Sequence, residues 1–111
     1  MKFEVTDDFE KSLKRLAKKY KSLKGEYLEL LKELENNPFI GVEIIANCRK
    51  VRLSIKSKGK GKSGGARVIF YYEIINDRIV LIYIYDKSEM ENVKDDFVRT
   101  LLQPFTNSKK K

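Results

Sequence analysis

Two runs decide the fold: Arg67-Val-Ile-Phe-Tyr-Tyr-Glu-Ile74 and Arg78-Ile-Val-Leu-Ile-Tyr-Ile-Tyr85, with Ile75-Asn76-Asp77 between them. Both are rich in β-branched and aromatic residues and too short and too branched for helices, so they read as adjacent strands, joined by a hairpin turn at Asn76-Asp77. Their apolar density marks them as central strands, covered on at least part of both faces. Upstream, Lys50-Val-Arg-Leu-Ser-Ile55 alternates cleanly: Val51, Leu53 and Ile55 face a core while Lys50, Arg52 and Ser54 share the other face. The three runs form an antiparallel meander. By the same alternation Tyr71 and Tyr72 point to opposite faces, and Tyr83 and Tyr85 to one.

Outward from the meander the pattern becomes helical. Phe9, Leu13, Leu16, Ala17 and Tyr20 fall on one helical stripe, and Leu23, Tyr27, Leu30, Leu31 and Leu34 repeat its spacing. Thr6-Asp7, with Glu10 three residues on, caps the first helix, the Lys21-Ser22 junction caps the second, and Asn36-Asn37-Pro38 ends it. Lys2-Phe3-Glu4-Val5 alternates as a short strand. A linker containing Gly41 leads to the meander. After it, Ser88 with Glu91 has the form of a capping box, and Met90, Val93, Phe97, Val98, Leu101 and Leu102 outline a final helix. Beyond Pro104, residues 105–111 read as a flexible tail. The expected order is strand, two-helix hairpin, three-stranded meander, C-terminal helix: one α+β domain spanning residues 1–111, with the helices backing the sheet.

At 111 residues the chain has room for one modest core. No apolar run approaches the length of a membrane span, and Asp7, Asp8 and Glu10 interrupt any secretory signal, so a cytoplasmic protein with no membrane partner is expected. With no His and a single Cys48, there is no soft-metal site, and no cofactor is expected. Cys48 lacks a His partner for nucleophilic work and reads as a small buried hydrophobe.

The net charge of +8 is localised. Arg49, Lys50, Arg52, Lys56, Lys58, Lys60, Lys62 and Arg67 lie in a stretch without acids, and removing them leaves 16 Lys+Arg against 16 Asp+Glu. Such a focused field is the electrostatic footprint of a phosphate-binding surface. Within it, Lys56-Ser-Lys58-Gly-Lys60-Gly-Lys62-Ser-Gly64-Gly65 alternates lysine with glycine or serine: glycines allow close backbone approach and lysines supply charge. The P-loop spacing is absent, since only Gly61-Lys62-Ser63 matches and a strand follows. Lys50, Arg52 and Arg67 converge from two neighbouring strands, and tyrosines of the same sheet are candidates to stack on single-stranded RNA bases. Arg49, Lys56, Lys58, Lys60 and Lys62 are candidate RNA-binding residues. The lysines of the first two helices interleave with glutamates and read as a solvated face.

Arg49-Lys-Val-Arg52, Ser57-Lys-Gly-Lys-Gly-Lys62, Gly64-Gly-Ala-Arg67-Val-Ile, Tyr71-Tyr72 and Ile84-Tyr-Asp-Lys87-Ser-Glu-Met90 resemble the HigB-type branch of the RelE/ParE superfamily of toxins from type II toxin-antitoxin modules. The resemblance covers most of the chain and is tightest from Arg49 to Val93. It implies a RelE-like fold and a metal-independent endoribonuclease (an mRNA interferase) that cuts mRNA in the ribosomal A site and halts translation. It implies a cognate antitoxin as partner, beside mRNA and the ribosome, with operator DNA reached only through the antitoxin complex. The implied chemistry is attack of a ribose 2′-OH on the adjacent phosphate, which needs a base, charge on the phosphorane and an acid. Crowded ammonium groups release a proton more readily, so the base is sought among Lys50, Lys58 and Lys60. Arg52 and Arg67 suit the phosphate, and Lys87 the acid. Ser88 and Lys94 stand about where RelE has an arginine and a tyrosine, and Tyr85 is the candidate replacement for that tyrosine. Two other readings remain open: a ParE-like inhibitor of DNA gyrase, and a basic RNA-binding module without catalysis.

Overall fold

A computed structural model describes residues 1–58 and 65–106. Thr6 caps α1 (Asp7–Lys19), its hydroxyl accepting from the Phe9 amide at 2.9 Å. Ser22 precedes α2 (Leu23–Asn36) without a capping bond, and its hydroxyl bonds instead to Glu26 and Ser57. The strands are β1 (Lys2–Val5), β2 (Val42–Ile45), β3 (Cys48–Leu53), β4 (Ala66–Glu73) and β5 (Arg78–Asp86), and α3 (Asp95–Thr106) closes the chain. They form one sheet in the order β1-β5-β4-β3-β2, antiparallel except that β1 runs parallel to β5.

Three expectations need correction. The linker after Pro38 contains β2, a fourth antiparallel strand, which pairs with β3 through a turn where Asn47 takes φ 66°. Its sequence, Val-Glu-Ile-Ile, is too short to carry an alternation signal. Ser88 and Glu91 form no capping box. Ser88 turns back to donate through both its amide and its hydroxyl to Asp86 Oδ1, at 2.9 and 2.7 Å, and helix α3 begins only at Asp95. Local side-chain bonding to a nearby Asp has outcompeted helix initiation. Finally, Phe105 and Thr106 belong to α3, which continues through Pro104. The Phe105 ring packs on the core and lies 5.9 Å from the Arg78 guanidinium, while its carbonyl accepts from Arg78 at 3.0 Å.

Apolar clusters cover both faces of the sheet. Helices α1 and α2 bury Phe9, Leu16, Leu23, Leu30 and Leu34 against Leu53, Val68, Phe70, Leu81 and Ile84. Helix α3 brings Val98, Leu101, Leu102 and Phe105 onto Cys48, Ile69, Val80 and Ile82 of the opposite face. Full burial of each such side chain contributes about 1.5–3 kcal/mol. Between these layers β5 carries a bulge. Ile69 pairs with Tyr83 but Phe70 with Leu81, which leaves Ile82 as an extra residue. Thr6 serves this irregularity as well as the helix, since its hydroxyl donates to the Ile82 carbonyl at 2.6 Å. The bulge switches the parity of the strand. Ile79 and Leu81 face α1 and α2, whereas Tyr83 and Tyr85, also odd-numbered, face the α3 side.

Candidate active site

Helix α3 covers only part of its face of the sheet. The rest is a row across three strands: Arg52 of β3 pairs with Arg67 of β4, which pairs with Tyr85 of β5. One step along lies Lys50, opposite Ile69 and then Tyr83. Like charges directly opposite in an antiparallel ladder destabilise it by roughly 0.2–1 kcal/mol, so the Arg52–Arg67 pair works against folding. It lines an open concavity of about 340 Å³ together with Lys50, Lys87, Glu91 and Asn92.

Arg67 is 8% exposed, and among the described residues no carboxylate pairs with it; one guanidinium N–H donates to the neighbouring Ala66 carbonyl at 3.2 Å. Beside it, the Tyr85 hydroxyl is the one buried side-chain polar atom, among the described residues, that has no hydrogen-bond partner. Burial pushes the Tyr85 phenol above its usual range, and the Arg67 charge opposes that shift without cancelling it. At neutral pH it is therefore a proton donor facing a cation. Lys50 Nζ donates to Asn92 Oδ1 at 3.0 Å, an acceptor without countercharge. Lys87 is half-buried, and its backbone N–H donates to the Gly65 carbonyl at 3.1 Å. A second concavity, of about 600 Å³, continues past Lys50 and Asn92 toward the start of α3, where Lys94 and Arg99 line it. Among the described residues no group of three His, Cys, Asp or Glu side chains is placed to hold a metal ion.

The five candidate catalytic residues Lys50, Arg52, Arg67, Tyr85 and Lys87 are thus gathered on one face. The candidate RNA-binding residues are not. Arg49 lies on the other face of β3 and donates to the carbonyls of Ile40 and Gly41, each at 3.0 Å. Adjacent strand residues must diverge, which the shared basic run conceals. Lys58, 9% exposed at its side chain, makes a 2.8 Å ion pair with the fully buried Asp86, which holds its ammonium on the α1 side of the sheet. Lys56 is exposed on a single 3-10 turn, Lys56–Lys58. Lys60 and Lys62 lie outside the described residues.

The tyrosines do not form a stacking platform. Tyr85 is 2% exposed and stacks on Tyr83, which meets Phe97 edge-on, while Tyr72 contacts Phe39 on the opposite face. Glu91 and Asn92 were not expected at the site. They reach it because residues 87–94 form a turn at 87–89 followed by irregular backbone, which nothing in their spacing announces.

Residues 46–104 match the model of a family described as the RelE toxin of the RelE/RelB toxin-antitoxin system. The chain belongs to the RelE toxin family. Membership brings a cognate antitoxin as partner. The fold agrees with a solved structure of E. coli toxin RelE, an arginine double mutant in the free state. The two superpose with a TM-score of 0.58 at 14% identity, over 95% of this chain and 96% of that one. At that identity the likeness concerns the fold alone.

Proposed function

We propose that this RelE-family toxin is a ribosome-dependent endoribonuclease that cuts mRNA in the A site, and that Lys50, Arg52, Arg67, Tyr85 and Lys87 carry the reaction. The observation behind this reading is the Arg67–Tyr85 pair. A buried hydroxyl without a partner costs stability unless a ligand completes it, and an anionic phosphate oxygen held between Tyr85 and the neighbouring Arg67 would do so.

In the reaction the ribose 2′-oxygen attacks the adjacent phosphorus and the P–O5′ bond breaks. The products are a 2′,3′-cyclic phosphate and a free 5′-hydroxyl. Arg52 and Arg67, facing one another across the ladder, hold the non-bridging oxygens as negative charge builds. Arginine suits this task because it stays charged and donates in a fixed fork. The Tyr85 hydroxyl donates a further hydrogen bond to the phosphorane. Lys50, held by a neutral amide and not a carboxylate, takes the 2′-proton, and Lys87 protonates the departing 5′-oxygen. The groove that continues past Asn92 has room for the neighbouring nucleotide. The Lys/Gly run joined to Gly64-Gly65-Ala66-Arg67 supports placing the chain in the HigB-type branch.

Expression without the antitoxin tests this. The expected result is arrest of protein synthesis with mRNA cut within codons only while translation runs. Arrest with DNA damage and intact mRNA would favour gyrase poisoning, and normal growth would defeat both toxin activities.

A further inference from the structure

Asp86, which ends β5, and Lys87, which follows it, hold together chain segments distant in sequence. Asp86 points to the α1 side of the sheet and is fully buried, and four donors from three segments reach its carboxylate. The Tyr20 hydroxyl, at the end of α1, donates at 2.6 Å; Lys58 Nζ donates at 2.8 Å; and the Ser88 amide and hydroxyl donate at 2.9 and 2.7 Å. The Lys58 ammonium also lies 5.3 Å from the centre of the Tyr20 ring. The next residue, Lys87, donates its backbone N–H to Gly65 at 3.1 Å and belongs to the catalytic face. Lys58 and Gly65, the roots on either side of residues 59–64, are therefore tied to neighbouring positions. Two residues further, Glu89 bonds to Arg15 and Lys19 of α1, which fixes the turn from outside.

A buried ion pair is weak evidence for stability, because apolar residues of similar volume often serve the fold as well. A carboxylate that collects four hydrogen bonds one residue from Tyr85 and one from Lys87 serves geometry instead. We propose that Asp86, with Lys58 and Tyr20, is the positioning residue of the active site on the opposite face, setting where the Tyr85 hydroxyl and the Lys87 ammonium stand relative to Arg67. Burial by itself would raise the Asp86 carboxyl, but bonds from Lys58, Tyr20 and Ser88 outweigh it and hold the group well below the usual carboxylate range. The anchor therefore stays ionised wherever the toxin works.

The inference rests on the nuclease reading, and the test separates the two. Purified wild type, Tyr20→Phe and the double variant Lys58→Met/Asp86→Leu are compared in ribosome-dependent cleavage of a defined mRNA, with a thermal melt of each. The double variant is expected to fold, since no buried charge is left alone. Its kcat should fall roughly 10²-fold, as sub-ångström placement is lost, with KM changed less than about twofold. Wild-type kcat in the folded double variant, or a change confined to KM, overturns the proposal. Should the double variant not fold, Tyr20→Phe decides: kcat lowered by about threefold or more is expected, and a wild-type value overturns. Wild type that cleaves nothing defeats the nuclease reading itself and this proposal with it.

Discussion

Replacing Tyr85 by Phe should make the toxin more stable and less active. The Tyr85 hydroxyl is buried with no partner, on a side chain 2% exposed. Leaving a hydroxyl in that state costs about 1–3 kcal/mol, by mutational measures of desolvation. Phenylalanine keeps the ring, its stack on Tyr83 at 6.3 Å between centroids, and the volume of the site. Nothing else is removed, so the free protein should gain about 1–2 kcal/mol. For a chain of 111 residues, with an unfolding entropy of roughly 2 cal/mol/K per residue, that is a rise in Tm of about 4–8 °C. Turnover should move the other way, because the hydroxyl is the bond offered to the phosphorane. Loss of one such donor lowers kcat by roughly 10²-fold. Differential scanning calorimetry of the purified protein and single-turnover cleavage on programmed ribosomes give the two numbers. A lower Tm would mean that the hydroxyl is already satisfied in the free toxin, which refutes the reasoning whatever happens to the activity.

Arg67→Ala should abolish growth arrest, read as colony formation under induction, while the fold, read by the circular dichroism spectrum, and the antitoxin pull-down stay as in wild type; full toxicity would remove Arg67 from the site. Burial pushes the Cys48 thiol from 9.0 up to about 12. Since the folded value lies above the unfolded one, its contribution is complete below pH 9 and is lost as pH climbs through 12, at up to about 1.4 kcal/mol per pH unit. Urea melts of wild type against Cys48→Ala between pH 8 and 11 should therefore converge as pH rises, and native Cys48 should resist iodoacetamide at pH 8. Gly41→Ala should cost about 2 kcal/mol or more, because φ is +85° and a β-carbon would strike the Lys50 backbone carbonyl. Relaxing that clash displaces Lys50, so chemical denaturation and cleavage assays should both register the change.

How much was legible beforehand depended on whether a signal was local. The two helical stripes, the Thr6 cap, the alternation of β3 and the hairpin at Asn76-Asp77 were all readable, because each follows from periods of 3.6 or 2 and from side chains bonding within a few residues. So was the acid-free basic segment, and with it Lys50, Arg52 and Arg67 as strand residues near one another. The fate of each cation was not. Arg49, Lys50 and Lys58 look alike in the chain, yet the structure spends Arg49 on backbone carbonyls, opens Lys50 to the site and buries Lys58 on Asp86. Which face a strand residue takes, and which distant side chain meets it, depends on partners up to 42 residues away in these cases. The capping box at Ser88 and Glu91 failed for a local reason, since Asp86, two residues away, competed for Ser88.

Sequence alone determined most of the elements, the domain's α+β class and the site of the charge, all consequences of short-range chemistry. Only the tertiary structure decided that Tyr85 joins Arg67. Strict alternation from Ile79 and Leu81 would send Tyr83 and Tyr85 toward α1 and α2. One extra residue, Ile82, whose carbonyl accepts from the Thr6 hydroxyl across the fold, turns them to the face of the candidate site. A period of two carries no memory of such an insertion, and the bulge is defined only by the pairing of β5 with β4.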